Sequence, residues 1–464
     1  MQIKEFISIR QEKHLKELFE FLRFPSVSTD PKYKQGILDC ANFLHNELSR
    51  LGCNKVEVLD TPGHPIVYAE RILDSSFPTV LVYGHYDVQP AKVSDGWDTD
   101  PFEPVIKDDK IFARGAADDK GQVWLQLKAL EYFNEFSAND LKVNLKFLYE
   151  GEEESGSENL DNFIIQNKQM LECDVVLISD TSIIANNVPS ISVSKRGLAS
   201  LEVEVIGPNR DVHSGIYGGV LANPIVVLSQ IIAECRNANG QVTIPGFYDN
   251  VQNYSTEQRA VFKQAHDLMT SYKDLAKDMK LSKTVSELGF TGYESTSIRP
   301  TFEVNGMWGG YMDTGVKTII PHKATAKVTM RLVENQNPQR ILDLAKKHIL
   351  SLDSQGCTVN VVFGDAAQAY SNSLDSNLYK AGELAMQNTF GVKPIPTLDG
   401  GSIPVGESFK RIMGKETLFL GFGLEEDNIH SPNESFGIFN FNKGIETIIE
   451  FLKIVSNKGL DIAN

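Results

Sequence analysis

Apolar residues recur at helical spacing twice near the start of the chain. Leu15, Leu18, Phe19 and Leu22 form the first set; Ile37, Ala41, Leu44, Leu48 and Leu51 form the second, ahead of Gly52 as a C-cap. Two amphipathic helices are predicted. The pattern then turns to strands at VEVL (56–59), IVYAE (66–70) and TVLVY (79–83). The last is an unbroken apolar run, as expected of a strand buried on both faces. Val123, Trp124, Leu127, Leu130 and Phe133 predict another helix, and KVNLKFLY (142–149) and DVVLIS (174–179) two more strands. Strands alternating with helices argue for an α/β sheet with a largely parallel core.

Near Val193 the pattern changes. LASLEVEVIG (198–207) and ATAKVTMRLV (324–333) alternate apolar with other residues, which predicts strands that each bury one face. Helices are expected at 223–235, opened by Asn223-Pro224, and from Pro338 to Leu352, with a further strand at TVNVVF (358–363). Two strand-helix units of this kind predict a small α+β domain with an open sheet. Patterns of the first kind resume at 378–391, 417–423 and 444–455, while 236–300 is polar and shows no clear period. The expectation is an α/β protein of two domains: residues 1–193 and 367–464 form one, and 194–366 are inserted into it. A chain of 464 residues is long enough for two cores.

Composition narrows the function. The net charge of −16 and the lack of any Lys or Arg run argue against nucleic acid as a partner. Five scattered cysteines without a CxxC pair indicate neither a disulfide framework nor a thiolate zinc site. The N-terminal stretch is broken by charges, and no segment has the apolar length of a signal peptide or membrane span. A soluble, cytoplasmic protein without a membrane partner is expected.

The chemistry collects where strands end. The strand at 79–83 runs into His85 and Asp87; IFARGAADDKG carries Asp118 and Asp119 to the start of a helix. The strand at 142–149 leads to Glu150, Glu152, Glu153 and Glu154, that at 174–179 to Asp180, and that at 417–423 to His430. In an open α/β sheet the carboxyl edge is where ligand sites lie. Singly, each residue reads as a solvated loop group or a helix cap. Together they form a mixed N/O donor set suited to Zn²⁺, Mn²⁺ or Co²⁺, and the absence of Cys favours an open catalytic site over a closed structural one.

GHYDVQP (84–90), ARGAADDKG (113–121), EGEEESGS (150–157), ISD (178–180), DVHSGIYGG (211–219), KTIIPHKATAKVTMRLV (317–333), GGSIPV (400–405) and HSPNE (430–434) together resemble the M20 metallopeptidases. Among these the chain is most similar to the carnosinase-type cytosolic dipeptidases. The resemblance implies two divalent ions, Zn²⁺ or Mn²⁺, one held by His85, Asp118 and Asp180 and the other by Asp118, Glu154 and His430. It implies Glu153 as general base to a metal-bridging hydroxide, and Asp87 as acceptor for the second ring N–H of His85. Asp119 is expected to be structural. His213, in the inserted domain, is implied to stabilise the oxyanion in the partner subunit of a homodimer joined through that lid domain. Thr318, Arg331 and Ser402 match substrate-contacting positions, and Arg331 suits the carboxylate of a dipeptide. Relatives often carry Arg-Glu before GGSIP where this chain has Leu398-Asp399, which bears on substrate preference. The implied reaction is hydrolysis of a dipeptide or short peptide. An N-acyl-amino-acid amidase or desuccinylase is the alternative, and a non-catalytic binding homologue a more distant one.

Overall fold

The computed structural model describes residues 2–269, 275–399 and 404–459, the side chains of Asp278, Asp399 and Pro404 excepted. The chain divides into two compact units: Met1–Val193, Asn372–Thr397 and Val405–Asn464 form the first, and Ser194–Ser371 with Leu398–Pro404 the second.

The first unit is built on a mixed sheet. Its strands run in the order Lys55–Leu59, Ile66–Arg71, Asn144–Glu150, Thr79–His85, Val175–Ile178, Glu416–Phe419 and Ser190–Lys195. The four strands from Asn144–Glu150 to Glu416–Phe419 are mutually parallel, and antiparallel strands flank them. Thr79–His85 is one of the two inner strands of this group, buried from Val80 onward, which is why its sequence is apolar without alternation. Helices Ile3–Leu22 and Ile438–Lys458 pack against Lys120–Phe136. The fold class is therefore α/β with a largely parallel central sheet. Among the described residues no helix is long and apolar enough to cross a membrane.

Lys128, on the Lys120–Phe136 helix, is fully buried, and its ammonium donates to Glu17 at 2.7 Å, Glu131 at 3.0 Å and Glu47 at 3.1 Å. Glu131 is buried too and also accepts from Lys13 at 2.6 Å and Arg50 at 3.0 Å. Glu17, Glu47 and Glu131 could in principle chelate a cation. Here an ammonium already does so, and the cluster ties together three helices, Ile3–Leu22, Lys34–Arg50 and Lys120–Phe136.

The second unit has a four-stranded antiparallel sheet in the order Glu303–Gly309, Lys323–Leu332, Gly197–Ile206 and Thr358–Ala367. Gly197–Ile206 alternates buried and partly buried residues along its whole length, matching the period-2 pattern of its sequence. Helices Pro224–Cys235 and Pro338–Ser351 pack on this sheet, each opened by an Asn whose side chain accepts from the first turn. The edge strand Glu303–Gly309 is mostly exposed and has no apolar alternation, so the pattern of the sequence did not mark it.

Candidate metal centre

Strand register brings the acids and histidines of the first unit together. His85 is the last residue of its strand and pairs with Glu150 at the end of the next. Glu153 and Glu154 follow in a short 3-10 turn, Glu153–Ser155, and Asp180 stands two residues beyond the strand Val175–Ile178. Asp118 precedes the helix Lys120–Phe136, and the Asp118–Asp119 peptide bond is cis. His430 lies in the loop after the last parallel strand, with φ of +60°.

Two triplets result, His85–Asp118–Asp180 and Asp118–Glu154–His430, with one donor atom from each residue within 4.8 Å of the others. Asp118 belongs to both. Its Oδ1 is 3.0 Å from His85 Nε2, and its Oδ2 is 2.9 Å from His430 Nε2. Asp180 lies 3.9 Å from His85 Nε2, and Glu154 Oε2 3.1 Å from His430 Nε2. Two donors each about 2.0–2.2 Å from one ion stand roughly 3.0–3.5 Å apart at coordination angles between square and tetrahedral. The His85–Asp118, His430–Asp118 and His430–Glu154 spacings suit that requirement, and Asp180, at 3.9 Å from His85 Nε2, stands slightly wide of it. Glu154 Oε1 is buried without a hydrogen-bond partner, an orphan that a cation would satisfy.

Electrostatics point the same way. Burial disfavours the charged form of His85, but its bonds to Asp118 and Asp87 and the charges of Glu153 and Asp180 outweigh this and hold its pKa well above the usual imidazole range. His430 is pushed up to about 10 by its bonds to Asp118 and Glu154. Burial opposes ionisation of Asp118, yet the two imidazoles hold it below the usual carboxylate range. Glu153 is raised well above that range, first by burial and then, against the pull of His85, by the neighbouring carboxylates of Asp180, Asp118 and Glu154. A site with this surplus of acids calls for cations.

Supporting contacts fix the donors. The nearer partner of His85 Nδ1 is the backbone carbonyl of Asp87 at 3.1 Å, with the Asp87 carboxylate at 3.5 Å. That carboxylate accepts from the backbone N–H groups of Glu153 at 3.2 Å and Glu154 at 3.0 Å. Asp87 thus holds the turn that carries both glutamates, a contact its spacing from His85 did not suggest. Asp119 accepts from the backbone N–H of His85 at 3.2 Å and adds no donor atom to either triplet. Gln89 donates to Glu154 at 2.7 Å. Gln89, Arg114 and Glu434 were not singled out by sequence reasoning, although all three lie inside or beside the motifs that carry the triplet residues.

His213 belongs to the second unit and is exposed. Its Nδ1 accepts the backbone N–H of Gly215 at 2.9 Å, which leaves the proton on Nε2. Thr318 is its neighbour, for the Thr318 carbonyl accepts from the backbone N–H of Ser214 at 3.0 Å and His213 pairs with Ile319. Arg331 stands next to the end of the strand Lys323–Leu332, opposite Leu198. Ser402 lies outside the described residues. Leu398 is buried in the second unit, its N–H donated to the Tyr293 hydroxyl at 2.7 Å.

The fold and the two triplets fit a metallopeptidase. The chain belongs to peptidase family M20/M25/M40, whose sequence profile matches residues 81–454. It is 30% identical to the Cys-Gly metallodipeptidase dug1 of Schizosaccharomyces pombe over 97% of both chains. It is 28% identical to the Beta-Ala-His dipeptidase of Homo sapiens, covering 97% of this chain and 91% of that protein. Among solved structures, an M20 family metallo-carboxypeptidase of Sulfolobus solfataricus superposes with a TM-score of 0.82 at 32% identity, over 96% of this chain and 99% of the other.

Proposed function

We propose that this protein is a cytoplasmic, metal-dependent dipeptidase with a two-ion centre formed by His85, Asp118 and Asp180 and by Asp118, Glu154 and His430. The observation that carries this reading is the buried Asp118 carboxylate, with one oxygen turned to each histidine. Two relatives named for dipeptide substrates support the substrate class. Five free cysteines are in keeping with a reducing compartment. When bound, two divalent ions, Zn²⁺ or Mn²⁺, would polarise the scissile carbonyl and ease proton loss from water. The protein's own part is proton traffic and orientation. Glu153 takes the proton of the attacking water as the new C–O bond forms, and returns it to the amine nitrogen as the C–N bond breaks. Asp87 keeps Glu153 and Glu154 in register for this.

Residues 1–193 and 367–464 would be the catalytic domain, and 194–366 a lid through which two subunits pair. The exposed edge strand Glu303–Gly309, with Met307 and Trp308 about two-fifths exposed, supports that pairing. His213 would donate from Nε2 to the oxyanion of the partner subunit's substrate, with Thr318, Arg331 and Ser402 contacting substrate. His213→Ala is expected to lower kcat by about 10²–10³, the usual cost of one oxyanion donor. Mixed subunits of His213→Ala and Glu153→Gln should then recover up to roughly a quarter of wild-type activity, since half the dimers are mixed and each has one intact site. No recovery would rule out donation across the dimer.

The reaction is tested with protein stripped of metal and reconstituted with Zn²⁺ or Mn²⁺, assayed on free-amine dipeptides, N-acyl amino acids and longer N-blocked peptides. Stripped protein is expected to be inactive and reconstituted protein to turn over dipeptides fastest. Faster turnover of N-acyl amino acids would make the protein an amidase, and faster turnover of blocked peptides a carboxypeptidase.

A further inference from the structure

Glu434 is four residues beyond His430 and fully buried. Its carboxylate takes four hydrogen bonds, all from the turn that precedes the helix Lys120–Phe136. Oε2 accepts from Arg114 Nη1 at 2.7 Å and from the N–H of Gly115 at 3.0 Å. Oε1 accepts from the N–H groups of Ala117 at 2.9 Å and Asp118 at 3.1 Å. The backbone joins the two segments as well, for the carbonyl of Glu434 accepts from Ala113 at 3.2 Å, and Ser435–Gly437 pairs antiparallel with Lys110–Phe112. Arg114 also donates to the carbonyl of Ser431 at 3.4 Å. The turn can present its N–H groups inward because Gly115 sits at φ +85°, where a side chain would also meet Val88 at 2.7 Å.

From this geometry we infer that Glu434 is a positioning residue that sets the shared ligand Asp118 against His430, and so tunes the affinity of the Asp118–Glu154–His430 triplet for its ion. The inference rests on the two-ion reading above. One short segment, 430–434, then contributes both a ligand and the clamp for its neighbour. A carboxylate is required because four donors converge on it. An amide of the same shape would turn an NH₂ group toward two of them and leave those donors unpaired. Glu434 belongs to neither triplet and both its carboxylate oxygens are taken by the turn, so its effect travels through the backbone of Asp118.

The test is calorimetric titration of stripped, full-length protein with Zn²⁺, together with the visible spectrum after Co²⁺ loading, for wild type and Glu434→Gln. Glu131→Gln serves as the control, a buried carboxylate of the same unit that belongs to neither triplet, about three turns along the helix that Asp118 precedes. Wild type is expected to bind two ions. In Glu434→Gln the first ion should bind nearly as in wild type and the second about 10–100-fold more weakly, the usual cost of losing a partner behind a metal ligand. The Co²⁺ spectrum should change in step, and kcat should fall while KM stays close to wild type. Glu131→Gln should lose thermal stability with both ion affinities intact. If Glu434→Gln does not fold, Glu434→Asp, which keeps the charge but is shorter by one methylene, decides, and its second-ion affinity should fall at least about threefold. A folded Glu434 variant that binds both ions as wild type does overturns the inference, as does an equal loss in Glu131→Gln. Wild type that binds no ion at all overturns the two-ion reading itself, a distinct result.

Discussion

Glu153→Gln is expected to lower kcat by about 10²–10⁴ while both ions stay bound, because glutamine keeps the shape of the side chain but cannot carry a proton from water to the leaving amine. The surroundings of Glu153 are suited to that task. Without ions, burial and, against the pull of His85, the negative charges of Asp180, Asp118 and Glu154 raise its pKa well above the ordinary carboxylate range. Its neighbour Glu154 is a proposed ligand, and the two share the support of the Asp87 carboxylate. Glu154→Gln should therefore behave differently, weakening the second ion as well as turnover. Metal analysis beside steady-state kinetics on one dipeptide separates the two. If Glu153→Gln retained wild-type kcat with two ions bound, the assignment of the base would be wrong by at least one residue.

Lys128→Met is expected to cost about 3–5 kcal/mol, the range found when one partner of a buried ion pair is removed. Methionine fills the space of the stem but leaves Glu17, Glu47 and Glu131 facing one another without the ammonium that separates them. The pH dependence has a definite sign. Burial pushes the Glu131 pKa up, but His14, Lys128 and Lys13 outweigh it and hold the carboxyl below its ordinary value of 4.5. A carboxyl with a depressed pKa contributes stability above its unfolded pKa and loses it as pH falls through the folded one. The deficit of Lys128→Met should accordingly be greatest near neutral pH and shrink below about pH 4.5, as the carboxylates protonate in the variant first. Urea denaturation followed by tryptophan fluorescence at pH 7 and pH 4 measures both points. A deficit independent of pH would mean that packing against Trp124, whose ring centroid lies 4.3 Å from the Lys128 ammonium, matters more than charge.

Much of this molecule was legible before its structure. Apolar runs without alternation mark Thr79–His85 and Val175–Ile178 as central strands, and each run stops just where a member of the first triplet appears. What spacing could not supply was which atoms meet. His85 and Asp87 looked like a ring and its acceptor; in the fold a carbonyl takes the nearer place, and the Asp87 carboxylate is also spent on backbone N–H groups 66 and 67 residues away. Glu434 escaped notice for a related reason, since three of its four partners are backbone amides, which carry no side-chain signature. Lys128 and Glu131 sit one turn apart on a helix, a pattern that normally means an exposed pair. The hairpin Val105–Lys107 and Lys110–Phe112 is too short to show a period.

The strand Glu416–Phe419 lies in the sheet between Val175–Ile178 and Ser190–Lys195, two strands made more than two hundred residues earlier. As the chain leaves the ribosome, the edge of Val175–Ile178 must therefore wait, unpaired, while the whole second unit is synthesised. His430 follows the strand that fills that gap by only eleven residues. A nascent chain thus holds every residue of the His85–Asp118–Asp180 triplet long before it can form the other, and completion of the sheet and of the second triplet become nearly one event. Chains that stall before residue 416 would expose an apolar strand edge, a natural handle for chaperones and a hazard for aggregation.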